Sequence, residues 1–175
     1  MIAGASQSWL DWNFHAGELD IARRIKDAVQ TGPDAWARIV GTRDDMDAIT
    51  EEQQLTPGVY VIYAGYGVKD ATPGGATIEH RWRVVLAIAS KVPGREASPR
   101  NQVAGKFLPA LLQALHGYIP EGSTTALVPT TPPQPRPSGH FTYYPLAFTS
   151  DCVYSTRKGP AIGALTSDRR FNHAN

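Results

Sequence analysis

The chain has one cysteine, Cys152, in 175 residues. That excludes an internal disulfide and fits a reducing compartment, which makes the cytosol the default location. No window has the apolar length of a membrane span, so no transmembrane helix and no membrane partner are expected. The opening stretch MIAGASQSWLDWNF lacks the charged region and long apolar core of a secretory signal. Neither sign of charge predominates: 17 Lys and Arg stand against 16 Asp and Glu, a net charge of +1. There is thus no bulk attraction to nucleic acid or to an anionic membrane. Internal repeats are absent.

Catalytic chemistry is scarce too. The five histidines, at 15, 80, 116, 140 and 173, form no metal pair at helical or turn spacing. Cys152 could act as a nucleophile with His80 or His140 as base, but a lone strand cysteine is usually a small buried apolar group. GYGVKD and TPGGAT are flanked by strands, whereas a phosphate loop needs a helix directly after its glycines. The carboxylates of RDDMDAITEE spread over a solvated helix face and lack the glycine and spacing of a calcium loop. The aromatic set Tyr60, Tyr63, Tyr66, Tyr143 and Tyr144 has no basic stripe beside it, so packing is favoured over single-strand stacking. No catalytic, cofactor or metal site is expected.

What is present is an alternation of elements. One domain is expected over 17–155, with an irregular arm over 1–16 and a polar tail over 156–175. Ile21, Ala22, Ile25 and Val29 recur at helical spacing within 18–30. AWARIV, 35–40, reads as a short strand. Thr42 is placed to cap a second helix with Asp44 and Asp45 in its first turn and Met46 and Ile49 inward. VYVIYAGY, 59–66, is a β-branched and aromatic strand. A loop over 66–77 joins it to TIEHRWRVVLAIAS, and a second loop follows at 91–101. Val103, Phe107, Leu108, Leu111, Leu112 and Leu115 form the stripe of a third helix ended by Gly117, and Pro109 should kink it or delay its start. TTALVP is a short strand, and TPPQPRPSG a stiff projecting loop at 131–139. HFTYYPLAFTSDCVY is a last long strand, with Pro145 marking an edge or bulge. The fold class is therefore α/β (α+β): a single mixed, largely antiparallel sheet with helices packed mainly on one face.

The strand at 77–90 carries two different faces. Ile78, His80, Trp82, Val84, Leu86 and Ile88 make one apolar side, which should lie under the helices. The other side is charged at Glu79, Arg81 and Arg83, then small and apolar at Val85, Ala87 and Ala89. Nothing in a one-layer monomer obviously covers that second half, so a neighbouring subunit is expected there. Two classes of function remain on the residues alone: a structural assembly subunit, or a small cytosolic α/β enzyme with a dispersed active site.

Four segments carry a resemblance: LTPGVYVIYAGY, HRWRVVLAIAS, GKFLPALLQALHGYIP and YYPLAF. In this order they resemble the tail terminator (tail completion) proteins of tailed bacteriophages, particularly the Mu-like minor tail proteins, over roughly residues 18–154. The resemblance implies a structural virion protein without a reaction or cofactor, assembled in the host cytoplasm. It implies a homohexameric ring on the last ring of tail tube protein at the head-proximal end, stopping polymerisation and offering a surface to the head-side connector. In a contractile tail it also implies contact with the sheath. Genomic DNA would pass through the lumen without sequence-specific binding. An adjacent neck or head-completion connector protein is the alternative within this class. Ring contacts close by rotation, and the residues that suit them are Arg81, Arg83, Val85, Ala87, Ala89, Tyr66, Lys69, Asp70, Tyr143 and Tyr144. The loops at 66–77, 91–101 and 131–139 would reach partners above and below.

Overall fold

A computed structural model of the chain describes residues 13–50, 53–89 and 100–155. The first helix, α1, spans Phe14–Val29 and begins earlier than its apolar spacing suggests. Asn13 is the reason: its side chain accepts a hydrogen bond from the His15 N–H at 3.0 Å and caps the turn. Ile21, Ile25 and Val29 are buried along one face, as their spacing predicts. Gly17 lies directly on Trp82; a Cβ there would stand 2.6 Å from the indole and 2.9 Å from the Glu121 carbonyl.

The strand β1 is Ile39–Thr42, later than the expected 35–40. Helix α2, Arg43–Ala48, starts at the expected cap. The Asp45 carboxylate accepts from the Thr42 N–H at 2.7 Å and from its hydroxyl at 3.2 Å. Strands β2, Gly58–Thr72, and β3, Gly75–Ala89, form a hairpin much longer than the sequence suggests. The expected loop at 66–77 is a ribbon turning only at Pro73 and Gly74. Two register shifts, between Tyr63 and Tyr66 and between Val68 and Asp70, absorb irregularities that break the simple alternation. The expected loop at 91–101 falls mostly outside the described residues, as do most of the expected arm and all of the expected tail.

Helix α3, Arg100–Leu115, continues through Pro109. Its stripe joins the core as expected, with Leu111 and Leu115 fully buried. Gly117, at φ 85°, ends it. The strands β4, Val128–Thr130, and β5, Arg136–Ser138, both pair with β6, Phe141–Ser155. TTALVP thus forms its strand only at its end. The proline-rich stretch is not wholly a projecting loop: its last part returns as an edge strand, where Pro137 is tolerated. Pro145 falls in the gap between the β5 and β4 pairings, where the outer side of β6 has no paired strand residue to receive an N–H.

One mixed six-stranded sheet results, ordered β1-β2-β3-β6-β4 with β5 also on β6. Only the β1–β2 pair is parallel. The even positions of β3 meet α1 and α3 in the core, with Val59 and Val61 of β2 and Tyr144, Leu146 and Phe148 of β6. The class is α+β, as expected, with α1 and α3 on one face. Among the described residues, no helix is long and apolar enough to cross a membrane.

Below the core, Asp20 ties α1 to the segment after α3. Its Oδ2 accepts from the Tyr118 hydroxyl at 2.7 Å and from the Glu121 N–H at 3.0 Å. Asp20→Ala will cost about 1–3 kcal/mol, because a partly buried hydroxyl and an amide both lose their acceptor. Urea midpoints for Asp20→Ala and Tyr118→Phe check this, the second change being the smaller.

Candidate functional site

The face of the sheet opposite α1 and α3 holds the candidate surface. Strand register places Glu79, Arg81, Arg83, Val85 and Ala87 of β3 there, beside Tyr60 and Ile62 of β2 and Tyr143, Pro145, Ala147 and Thr149 of β6. The face is not left bare at its apolar end. Val85 is 6% and Ala87 0% exposed within the single chain. Tyr60, beside Val85, is fully buried. Its hydroxyl accepts from Gln54 Nε2 at 2.7 Å, so the segment before β2 folds over this corner. Tyr143 flanks Ala87 on the other side. The expectation that a neighbouring subunit must cover Val85 and Ala87 is therefore corrected: the chain covers them itself. Ala89 is partly exposed at the strand end.

Toward the middle of the sheet the face opens into two hollows. One, about 320 Å³, is lined by Met46, Ile62, Arg83, Val85, Arg136 and Tyr143, among others. The next, about 610 Å³, runs past Arg81, Ala147 and Thr149 under Thr131 and Pro132. They share Arg83 and Pro133, so together they form one groove roofed by the proline-rich stretch. Its floor is apolar and its rim carries three guanidinium groups, on Arg81, Arg83 and Arg136.

Among the described residues, the rim has an excess of positive charge. Arg81 Nε lies 3.6 Å from a Glu79 oxygen. Glu79 is already shared with Lys69, whose Nζ sits 3.3 Å from Glu79 and 2.7 Å from Asp151. The Asp151 hydrogen bond is the main reason the Lys69 ammonium is held above its ordinary pKa. Among the described residues, Arg83 and Arg136 form no ion pair. Planar guanidinium groups beside an apolar floor suit carboxylates carried on an apolar segment.

Among the described residues, no cluster of three or more His, Cys, Asp and Glu could hold a metal. Cys152 is 3% exposed, and burial pushes its thiol up. His80 is equally buried, in an edge-to-face contact with Phe14 at 4.6 Å between ring centroids, with Nδ1 2.9 Å from the Tyr63 hydroxyl. Burial lowers its pKa, so the neutral ring is favoured. Burial likewise raises the Tyr63 phenol, to about 12. Cys152→Ser will therefore cost only the modest penalty of placing a hydroxyl in a small apolar site. Thermal unfolding of the two proteins measures it.

The ten residues expected at contacts do not form one patch. Arg81, Arg83, Val85 and Tyr143 line the groove. Lys69 and the exposed Asp70 lie along the hairpin. Tyr66, 55% exposed, is on the helix-side face against Phe14 at 5.9 Å. Tyr144 belongs to the core. Phe14, which shows no pattern in the sequence, turns out to pack on Tyr63, Tyr66 and His80. Arg136, Pro133, Met46 and Ile62 were missed as groove residues. The available signal was Arg136 itself, a lone cation inside a proline-rich run.

Residues 18–158 match the profile of the phage tail terminator protein family. No curated protein matches the sequence. The matched span takes in all but the first turn of α1 and every later element to the end of β6, and the chain belongs to that family: it is a structural component of a phage tail.

Proposed function

From membership of the tail terminator family as premise, we propose that this chain caps the tail tube at its head-proximal end. It does so as a closed homo-oligomeric ring, a hexamer when docked, which stops tube polymerisation and presents a joining surface to the head-side connector. In a contractile tail the ring also meets the last sheath ring, and genomic DNA passes through its lumen. The resemblance of LTPGVYVIYAGY, HRWRVVLAIAS, GKFLPALLQALHGYIP and YYPLAF supports assigning it to the Mu-like group. The protein works without a reaction or a cofactor, inside the host cytoplasm during assembly and then in the virion.

The observation that carries this reading is the family match over 18–158. The groove adds a physical route to docking. Arg83 and Arg136, which form no ion pair among the described residues, favour acidic groups on a partner ring, where charge sets register and encounter rate more than affinity. The test is polymerisation of purified tube protein with and without the chain. Short tubes bearing a ring at one end are expected, and unchanged tube length would overturn the proposal. An Arg83→Glu/Arg136→Glu variant should cap about tenfold less effectively, with a salt dependence weaker than that of the wild type.

A further inference from the structure

The groove across the outer face of the sheet reaches the β2 edge at Ala64. Strand β1 ends at Thr42, opposite Val61, so from Ile62 onward β2 is the edge of the sheet among the described residues. Phe14, the first residue of α1, packs on Tyr63 and Tyr66 just past that point, on the helix-side face. Asn13 before it has an extended backbone. The preceding residues therefore leave α1 beside an edge that carries little to obstruct a crossing chain. Ala64, Gly65 and Gly67 have no long side chain, and a Cβ at Gly65 would meet nothing within 4 Å. A Cβ at Gly67 would stand 3.0 Å from Arg81 Nη2. The Arg81 guanidinium thus reaches across β2 toward the edge, while its Nε keeps the 3.6 Å contact with Glu79.

An apolar groove with cations on its rim suits an apolar segment that carries an acid. Four segments lie outside the described residues: 1–12, 51–52, 90–99 and 156–175. Segment 156–175 holds four Lys and Arg against one Asp, and 90–99 holds two against one Glu. Glu51 and Glu52 bring no apolar side chain. Only 1–12 unites large apolar residues with an acid and no Lys or Arg, in the run SWLDW at 8–12. Alternate side chains of an extended segment share a face, so Asp11 and Trp9 would point the same way, about 7 Å apart. The three residues from Phe14 back to Asp11 span about 10 Å, enough to bring Asp11 over the edge to the Arg81 fork.

We propose that residues 8–12 cross the β2 edge over Gly65 and seat Trp9 in the groove of their own chain, with Asp11 on the Arg81 guanidinium. An indole there covers the apolar floor beside Ala147 and lies against Arg83, tryptophan being the ring that best holds a guanidinium. The exposed Asp11–Arg81 pair fixes register more than it adds affinity. The occupant belongs to the same chain because its tether is so short: it stays at millimolar effective concentration, which a neighbour's arm would have to outcompete. The groove is then self-occupied, and a partner ring that docks through Arg83 first displaces the arm. The arm contact itself does not depend on tube capping.

The test replaces the four tryptophans by 5-fluorotryptophan in the whole chain, without tail tubes, and reads fluorine NMR. Trp9→Phe and Trp36→Phe identify two of the signals. In the wild type the Trp9 signal should stand apart from its position in the urea-unfolded chain and keep its place on dilution. Arg81→Glu/Arg83→Glu should return it to the unfolded position. The Trp36 signal should not move, because both arginines are exposed and Trp36 stacks on Phe107 at 4.2 Å against the core. If Trp36 does move, Arg81→Gln/Arg83→Gln takes the place of the charge reversal, with the same release of Trp9 expected. Three results would each overturn the proposal. They are a wild-type Trp9 signal at the unfolded position, a displaced signal that neither arginine variant moves, and a displaced signal lost on dilution, which would give the groove to a neighbour's arm. Unchanged tube length in the polymerisation assay bears only on the ring reading.

Discussion

Trp82→Ala will lower the unfolding free energy by about 3–5 kcal/mol, the range of large-to-small changes at buried aromatic sites. Trp82 is 2% exposed and is the seat of α1, since Gly17 rests directly on its ring. Its ring lies 5.0 Å from that of Tyr63, and its Nε1 donates to Ser150 Oγ at 2.9 Å. Truncation therefore opens a cavity beneath a helix and removes the donor that the buried Ser150 hydroxyl accepts from. Arg83→Ala, one residue along on the other face, should stay within about 0.5 kcal/mol of wild type, as exposed substitutions do. Guanidinium midpoints for the two proteins decide the facing of the strand. Equal midpoints would put both side chains in comparable environments, contrary to the register.

Ala87→Arg will abolish the folded monomer, with a cost of at least about 4 kcal/mol. Ala87 has no exposure, and Gly58 and Tyr143 are its cross-strand neighbours. An arginine has no route from there to solvent without displacing Tyr143 or the segment around Gln54. A charge at this position therefore acts before any assembly step. Circular dichroism of the isolated variant at room temperature is the check. A native spectrum with a normal melting transition would show that the corner opens readily, and would return Ala87 to the list of accessible surfaces. Ala87→Gly, which leaves the space empty, should cost far less.

These two residues mark the limit of what was legible. The even side of β3 was readable because six apolar or aromatic positions alternate without a break, and a one-residue slip would expose all of them. The stripe of α3 and the Thr42 cap were readable for the same reason: each is a local pattern with one physical solution. The cover over Ala87 was not. It comes from Tyr60 and Gln54, whose meeting with β3 depends on strand order, and alternation along a single strand cannot report strand order. The long hairpin was hidden because Gly67 and the PGG turn region read as loop chemistry. Its bulges break the period by which a strand is recognised. The start of α1 was missed because Asn13 sits beside aromatic residues with no helical spacing. Of the groove, Arg81 and Arg83 were visible as charges on an open strand face. Arg136 and Pro133 reach the groove only because the proline-rich stretch folds back as β5.

The pairing of β3 with β6 runs from Gly75 with Ser155 to Ala89 with Phe141, without a single register shift. It joins the middle of the chain to the last described strand across everything between, α3 included. A chain emerging from the ribosome can make the β2–β3 hairpin early, from neighbouring residues. It cannot complete the layer under α1 and α3 until β6 is out, because Leu146 and Phe148 belong to that layer. Until then the free edge of β3 has no ladder partner, and α3 has only part of its floor. Long-range strand pairing of this kind is slow to form. The nascent protein therefore stays open along β3 until synthesis passes residue 155, and a chain cut short before Phe141 has no means of closing its core.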